Sequence, residues 1–171
     1  MSNSIGSSSN AIATVATTGA RAGKYLTFFL AGEEYGLEIL KVSEIIGMQS
    51  ITRVPRTPEF VRGVINLRGK VIPITDLRVK FGMSSDTHDE SCIIVVQLRE
   101  MQMGIVVDRV SEVVALAEGE IADSPEFGAG VQTDLLLGIG KSGDRVKLLL
   151  DIDKVLTSHE VVQLADTALA A

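Results

Sequence analysis

The chain has 171 residues, a formal net charge of −6 and 46% hydrophobic residues, which fits a single globular domain with a substantial core. Aromatic residues make up only 4% and Trp is absent, so the core must consist mainly of Val, Ile and Leu, and a β-rich fold is favoured. An acidic chain with few aromatic residues argues against a nucleic-acid groove, which needs a broad basic face with stacking rings.

The first 23 residues are rich in Ser, Thr, Gly and Ala, and Arg21 is their only charged residue. They lack the basic start and the apolar segment of a signal peptide. We therefore expect residues 1–23 to form a disordered tail. No apolar stretch of the sequence approaches the roughly 18 residues that span a bilayer, so we expect a cytoplasmic protein that does not insert into membranes.

The next segment predicts a β-hairpin followed by a short helix. Residues 25–30 and 35–40 are apolar runs on either side of a turn sequence, which is typical of a hairpin. Val42, Ile45 and Ile46 then follow the i, i+3, i+4 spacing of a short helix with one buried face. The tetrapeptide at residues 57–60, Thr-Pro-Glu-Phe, offers a capping hydroxyl, a first-turn proline and an early acid, which predicts a helix start.

A second hairpin is predicted in the run GVINLRGKVIPITDL, residues 63–77. Its tip carries Arg68 and Lys70, and residues 59–82 hold five Lys or Arg against two acids. Pro73 cannot donate a hydrogen bond to a neighbouring strand, which predicts an edge strand or a bulge at this position. Asp76 is placed to cap a final turn.

The sequence is internally duplicated. Residues 25–46 align without a gap with residues 93–114, and this alignment pairs Gly36 with Gly104. Further agreements join Thr-Pro-Glu-Phe to Ser-Pro-Glu-Phe at residues 124–127, and Asp76 to Asp151. Two copies predict two packed β units. The helical spacing recurs in the second copy, and the residues after Asp151 are predicted to form a helix whose end frays.

No catalytic group emerges from the motifs. GIGKSG, residues 138–143, matches G-x-G-x-x-G but precedes a strand-like run rather than a helix, and the repeat equates it with a hairpin tip. His88 and His159 lack ligands at metal spacing, and Cys92 lies in an apolar run without a base. We therefore expect a binding protein without enzyme activity, cofactor or metal. Its best candidates are Arg68, whose alternative is a solvated turn charge, and Phe127, whose alternative is a plug at the end of a barrel.

Three runs together resemble the CheW family of bacterial chemotaxis coupling proteins. They are EEYGLEILKVSEIIG, then ITRVPRTPEFVRGVINLRGKVIPITDLRVKFG, and then GIVVDRVSEVV followed by PEF, over roughly residues 24–157. The resemblance implies an all-β fold of two packed SH3-like five-stranded barrels with a C-terminal helix. The expected barrels are residues 24–85 and 86–157, and residues 158–171 form the helix and its frayed end.

The resemblance also implies a role without catalysis. Such proteins couple methyl-accepting chemoreceptors to the histidine kinase CheA, and they form rings with its regulatory domain and with other CheW copies at membrane-associated arrays. A receptor tip would lie in an apolar groove between the barrels. The implied receptor contacts are Leu26, Ile39, Glu44, Ile45, Arg62, Arg68 and Val110. The implied kinase contacts are Val42, Thr52 and Gly63 for the first contact, with Val42 also a candidate for the groove, and Glu126 and Phe127 for the second.

From these residues we predict that Arg62 and Arg68 form a cationic edge beside the groove, where they meet acids or carbonyls of a receptor. Two other functions stay open at this point. One is a coupler of a non-flagellar, pilus-type chemosensory pathway. The other is a small β-barrel nucleic-acid-binding protein, which the acidic charge and the low aromatic content disfavour.

Overall fold

The computed structural model describes residues 21–84, 89–99, 101–124 and 135–156. These ranges form β-strands in two sheets with a few short helices, which confirms the predicted all-β class. The strands are β1 Gly23–Leu30, β2 Glu33–Glu38, β3 Val42–Gly47, β4 Val61–Leu67, β5 Lys70–Asp76, β6 Cys92–Leu98, β7 Met101–Val107, β8 Arg109–Leu116, β9 Ile121–Ala122, β10 Leu136–Ser142 and β11 Arg145–Leu150. The helices are α1 Leu77–Lys80, α2 Ile152–Leu156 and the 3-10 turns Ile39–Lys41 and Glu118–Glu120.

Each sheet curls until its ends meet. The five-stranded sheet has the order β3-β6-β7-β5-β4, and the segment after β3 returns to β4 because Thr52 and Val64 exchange two backbone hydrogen bonds of 2.9 Å. The six-stranded sheet has the order β8-β1-β2-β11-β10-β9, and β8 continues through the second 3-10 turn into β9, which pairs with β10. We call the five-stranded sheet barrel 1 and the six-stranded sheet barrel 2.

The two copies of the sequence exchange strands. Barrel 1 takes β3, β4 and β5 from the first copy and β6 and β7 from the second, while barrel 2 takes β1 and β2 from the first copy and the remaining strands from the second. The opening hairpin of each copy thus joins strands of the other copy. The expected boundary between residues 85 and 86 therefore divides the repeats of the sequence, whereas each sheet draws on both repeats.

The aligned glycines occupy equivalent places at the two parallel strand pairs. Gly36 on β2 lies opposite Leu149, and Gly104 on β7 lies opposite Ile74. A Cβ on Gly36 would come within 2.9 Å of the Leu149 side chain, and one on Gly104 within 2.6 Å of the Ile74 side chain. Both copies need a residue without a side chain where the aliphatic group of the parallel strand crosses over it.

The barrels share a central core cluster. Along β6, Ile93 and Val95 pack inside barrel 1, while Ile94 and Val96 pack in the central cluster together with residues of β1 and β2, such as Phe28. Both faces of β6 are thus buried from Ile93 to Val96, which explains why these four residues form an unbroken apolar run. A third, smaller cluster within barrel 2 comprises Tyr25, Leu116, Ile121 and Leu149.

The helix predicted at residues 42–46 is wrong, because these residues form β3. Val42 lies opposite Val96, but the next pairs are Glu44 with Val95 and Ile45 with Ile94, so one residue of β3 bulges out. A bulge adds one residue to the period-2 alternation of a strand. Two side chains on the same face are then three residues apart, which imitates helical spacing.

The equivalent helix predicted at residues 110–114 is wrong for the same reason. On β8, Val110 lies opposite Phe28 and Val113 opposite Leu26, so two residues face a single one on β1. The residue they face is Thr27, whose hydroxyl donates to the Glu112 carbonyl at 2.9 Å and accepts from the Glu112 N–H at 3.1 Å. The side chain of Thr27 thereby satisfies the backbone groups that the bulge leaves out of the ladder.

The helix predicted to start at residues 57–60 is also wrong. The Thr57 hydroxyl donates to the Val54 carbonyl at 2.9 Å, and the Val61 N–H donates to the Pro58 carbonyl at 3.0 Å. These bonds form turns that lead into β4, so the capping hydroxyl closes a turn instead of a helix. In the second copy of this tetrapeptide, residues 125–127 lie outside the described residues.

The predicted hairpin turn and the two capping aspartates are confirmed, whereas the expected end of the tail at residue 23 is wrong, because β1 begins at Gly23 and Arg21 forms salt bridges with Glu118 and Asp123. The β4–β5 turn has positive φ at Arg68 (52°) and Gly69 (89°), as a tight hairpin turn requires. GIGKSG lies in the hairpin of β10 and β11. Asp76 accepts from the Arg78 N–H at 3.0 Å and so caps α1. Asp151 accepts from the Lys154 N–H at 3.4 Å in the first turn of α2. Of the predicted C-terminal helix, Ile152–Leu156 is observed, and residues 158–171 lie outside the described residues.

Pro73 lies in a strand that is internal to its sheet. It pairs with Val64 of β4 on one side, and the pairing of β5 with β7 on the other side begins only at Ile74. The prediction of an edge strand is therefore wrong for β5 as a whole. It holds locally, because the proline lies just before the strand acquires its second neighbour.

Candidate interaction surfaces

Apolar side chains on the outermost strands β3 and β8 border the central cluster. Val42 on β3 and Val110 on β8 are partly buried and pack against the central cluster, as does Ile39 in the preceding turn. Ile45 is 45% exposed and Val113 is 51% exposed, and their cross-strand partners belong to the central cluster. Opposed side chains point to the same face of a sheet. We call these five residues the apolar margin.

The apolar margin contains three of the four residues that were expected to line a groove. Ile39, Ile45 and Val110 lie at the surface or partly covered, but Leu26 is only 3% exposed and belongs to the core. Leu26 is covered because β1 has a neighbour on each side, with Leu37 and Val113 as its partners. The expectation that Leu26 itself faces a partner does not match this position.

Leu40 was missed by the sequence interpretation. It is 93% exposed, although its neighbour Ile39 is partly buried. It lies in the 3-10 turn after β2, where Lys41 forms a 2.7 Å salt bridge with Asp153, and this carboxylate raises the pKa of Lys41. No separate signal marks Leu40, because an apolar residue at the end of an apolar run is equally typical of a strand.

Two of the predicted polar receptor contacts, Arg68 and Glu44, bind each other on the surface of barrel 1. Arg68 in the β4–β5 turn forms a salt bridge with Glu44 on β3, and this carboxylate raises the pKa of Arg68. The Arg68 side chain is 70% exposed and that of Glu44 is 28% exposed. The turn is held by the Asn66 side chain, which accepts from the Gly69 N–H at 2.8 Å. Arg68 therefore has a defined position beside β3.

Arg62 has a different environment from Arg68. It forms a 2.8 Å salt bridge with Asp76, whose side chain is 2% exposed and which also caps α1. Each of the two arginines thus has a carboxylate of its own chain as partner. The predicted cationic edge therefore consists of two ion pairs, Arg68–Glu44 and Arg62–Asp76, and its contact with a receptor stays a prediction.

Two of the residues expected to contact a kinase, Thr52 and Gly63, lie together where the ends of the sheet meet in barrel 1. We call the place where the two ends of a sheet meet the seam of the barrel. Gly63 is buried with φ of +138°, and a Cβ there would come 2.1 Å from the Thr52 carbonyl oxygen. Gly63 thus makes room for the exchange of hydrogen bonds between Thr52 and Val64. Val42 lies in the apolar margin, and Glu126 and Phe127 lie outside the described residues.

Two open cavities occur elsewhere on the described part of the chain. One of about 340 Å³ is lined mainly by apolar residues, namely Tyr35, Lys80, Phe81, Leu135, Leu136, Leu148 and Leu150. The other, of about 210 Å³, is lined by Phe29, Gly32, Glu90, Asp108 and Arg109. Neither is lined by a predicted site residue. Within the described ranges, no group of His, Cys, Asp and Glu side chains could hold a metal ion.

Cys92 and the remaining sequence candidates agree with structural roles where they are described. Cys92 is partly buried against the central cluster, and burial raises the pKa of its thiol. His88 and His159 lie outside the described residues. No helix in the described ranges is long and apolar enough to span a membrane.

Comparison with known proteins gives consistent matches along most of the chain. The family model described as the CheW-like domain matches residues 24–160. The chain is 43% identical over 146 residues to the chemotaxis protein CheW of Klebsiella aerogenes, covering 85% of this chain and 88% of that one. It is 34% identical over 134 residues to CheW of Helicobacter pylori, covering 78% and 81%. The crystal structure of the scaffolding protein TtCheW from Thermoanaerobacter tengcongensis matches with a TM-score of 0.74 and 36% identity, covering 81% of this chain and 95% of that one.

Proposed function

This chain belongs to the CheW-like domain family of chemotaxis adaptors, and from that premise we propose that it couples methyl-accepting chemoreceptors to the histidine kinase CheA. In this proposal it has no catalytic activity of its own and acts in the cytoplasm at membrane-associated receptor arrays. There it occupies rings with the regulatory domain of the kinase and with further copies of itself.

The observation that carries the receptor contact is the apolar margin. Exposed aliphatic side chains that border one core cluster are typical of a surface that a partner covers. A receptor helix could lay its own aliphatic side chains between Ile45 and Val113, where they would bury apolar area against side chains supported by the core. The expected receptor contacts are then the exposed residues of the margin, with Leu26 as support beneath Val113.

The Arg68–Glu44 pair gives the apolar margin a polar border. A guanidinium group has five N–H donors, and one carboxylate does not use them all. Arg68 can therefore keep Glu44 as partner and still donate to carbonyl or carboxylate oxygens of a receptor. Removing such a contact costs roughly 1 to 3 kcal/mol when it is desolvated.

The test is co-sedimentation of the protein with receptor cytoplasmic fragments and CheA, with kinase activation as a second readout. Arg68→Ala should weaken receptor binding roughly 5- to 150-fold, which corresponds to the loss of 1 to 3 kcal/mol. Lys70→Ala is the matched control, because Lys70 lies next to the same turn with the same charge and is exposed. Equal, small losses for both variants would refute a special role of Arg68.

The kinase contacts are tested separately from the receptor contacts. We expect Phe127→Ala to leave the melting temperature unchanged and to weaken ring assembly with the kinase. A large fall in melting temperature would instead assign Phe127 to the core. For the first contact, Thr52→Arg adds a bulky charged side chain at an exposed residue of the seam and should reduce kinase binding while receptor binding persists.

A further inference from the structure

We propose that barrel 2 carries a second protein-docking site, which binds an acidic side chain of a partner protein through Arg109 and Arg145 around the ring of Phe29. This site lies on the opposite face of β1 and β8 from the apolar margin. It goes beyond the coupling function proposed above and does not depend on it.

The first support is the geometry of the three side chains. Phe29 and Arg109 are direct cross-strand neighbours on β1 and β8, and the guanidinium carbon of Arg109 lies 4.2 Å from the centroid of the ring. Arg145, at the start of β11, places its guanidinium carbon 6.0 Å from the same centroid. The ring is partly buried, whereas both arginines are exposed. Both distances fall within the range of a cation–π contact.

The second support is the balance of charge around the ring. Neither Arg109 nor Arg145 forms a salt bridge with a carboxylate among the described residues. Two neighbouring acids have other partners: Glu34, which lies opposite Phe29 on β2, contacts Lys147 at 3.3 Å, and Asp108 pairs with Arg78. A third, Glu90, lines the cavity beside Arg109 without a salt bridge to either arginine. A chain with a net charge of −6 thus holds two cations at one ring, and neither has a carboxylate partner within the described ranges.

The third support concerns which ligand fits. A guanidinium group that stacks on a ring keeps its N–H edge free, and this edge matches the two oxygens of a carboxylate. The adjoining cavity of about 210 Å³ is smaller than the roughly 300 to 1,000 Å³ typical of small-molecule pockets. A side chain that projects from a larger partner suits it better than a free small molecule.

The carboxylates beside the cavity favour a protein over a nucleic acid. Glu90 is exposed and lines the same cavity as Arg109. A nucleic-acid backbone would bring several phosphates close to Glu90 and Asp108, which is unfavourable. A peptide with one acidic side chain brings a single negative charge and so keeps this repulsion small, and its backbone N–H groups can donate to Glu90.

Strand alternation separates this site from the apolar margin. Phe28 and Val110 oppose each other and face the central cluster, whereas the next pair, Phe29 and Arg109, faces the other way. A partner on the second face therefore leaves the apolar margin accessible. The adaptor could hold both partners at once.

The test is a nuclear magnetic resonance titration of the full-length, 15N-labelled chain with the blocked peptide Gly-Ala-Ala-Glu-Ala-Gly, which carries a single acidic side chain. We expect saturable shifts of the side-chain Nε–H signals of Arg109 and Arg145, and binding at least fivefold weaker for the same peptide with Gln in place of Glu. Arg109→Gln and Arg145→Gln should each weaken binding at least threefold. The control Arg53→Gln, at an exposed loop residue, should leave it unchanged.

Three results would overturn the proposal. They are no saturable shift, equal binding of the Gln peptide, or stronger shifts of the same signals by inorganic phosphate or a thymidine decamer. Phe29→Leu provides a further check, because it keeps an apolar side chain but removes the ring. It should weaken peptide binding without lowering the melting temperature, and unchanged affinity would count against the site. The titration needs no receptor or kinase, so its failure is distinct from a failure of the coupling function.

Discussion

The two barrels are built from equivalent strands but differ in what they bury at one equivalent position. At this position barrel 1 has Ile72 on β5, which is buried, and Gln102 on β7, which is half-buried and donates to the Ser43 hydroxyl. The aligned residues of barrel 2 are Lys147 and Glu34, which form a salt bridge of 3.3 Å with both side chains 5% exposed. The duplication therefore preserved the backbone while one interior became ionic. Only a pair could make this change, because a single buried charge is strongly unfavourable.

The surfaces of the two barrels also differ, in the partners of their exposed arginines. Barrel 1 neutralises its prominent arginine, Arg68, with Glu44. Barrel 2 uses Glu34 internally for Lys147 and leaves Arg109 and Arg145 stacked on Phe29. In barrel 2, a buried salt bridge inside the barrel thus goes with two arginines on its surface that are available to a partner.

The largest expected effect comes from breaking the buried pair of barrel 2. Lys147→Ile leaves the Glu34 carboxylate buried without its cation, and we expect the free energy of unfolding to fall by roughly 3 to 5 kcal/mol. The double variant Lys147→Ile with Glu34→Gln copies the residues of barrel 1 and should recover most of this loss. Urea denaturation measures both. A single variant within about 1 kcal/mol of the parent would mean that the pair does not stabilise the barrel.

The seams of the two barrels should differ in their tolerance of a methyl group. Gly63→Ala meets the Thr52 carbonyl at 2.1 Å and has an unfavourable φ, so we expect a loss of about 3 kcal/mol. Gly138→Ala, its equivalent in barrel 2, comes 2.8 Å from the Ala122 carbonyl and should cost roughly 1 to 2 kcal/mol. Gly47→Ala is the control, since nothing lies within 4 Å of its Cβ position. Equal losses at Gly63 and Gly138 would contradict this order.

Two buried threonines should respond in opposite directions to replacement by Val. The Thr75 hydroxyl is buried and has no hydrogen-bond partner among the described residues, so Thr75→Val should raise the free energy of unfolding by about 1 kcal/mol. Its counterpart in barrel 2 is the apolar Leu150. Thr27→Val removes both hydrogen bonds to Glu112 and should lower the free energy of unfolding by about 1 kcal/mol. Thermal unfolding of the two variants in parallel decides between these signs.

The smallest expected effect is a pH dependence at Glu38 of barrel 2, whose equivalent in barrel 1 is Val106. Burial raises the pKa of Glu38, against the opposing effect of Lys41. The folded state then favours the protonated form, so the contribution to stability is present at low pH and is lost as pH rises through the raised pKa. Glu38→Gln should stabilise the protein by less than about 0.5 kcal/mol at pH 7. The stabilisation of Glu38→Gln relative to the parent should vanish near pH 4. A stabilisation that grows as the pH falls would contradict the raised pKa of Glu38.

Local features of the fold were predictable because the repeat shows each of them twice. The paired glycines, Gly36 and Gly104, and the capping aspartates, Asp76 and Asp151, align in the sequence and play equivalent roles in the structure. The strands β3 and β8 were mistaken for helices, since a bulge and a helical turn place apolar residues at the same spacing. Nothing in the local pattern separates these cases.

The exchange of strands could not be predicted from the pattern either. When two copies carry the same alternation, β1 fits β8 of the other copy as well as it would fit β3 of its own. For the candidate site, the residue types at Arg68 and Glu44 indicated a polar contact, but not that the two would bind each other. The burial of Leu26 depends on the number of neighbouring strands, which the alternation of a hairpin does not reveal. The division of the site between receptor and kinase stays a prediction.

The strand exchange also governs how the protein can be made. The strands β1 and β2 leave the ribosome before the strands of barrel 1, yet they share barrel 2 with β10 and β11. Barrel 2 therefore cannot close during translation until β11 has emerged, and such non-local pairings fold slowly. Fragments separated between residues 85 and 86 would each hold strands of two unfinished barrels, so neither is expected to fold alone, and mixing them should restore the native protein.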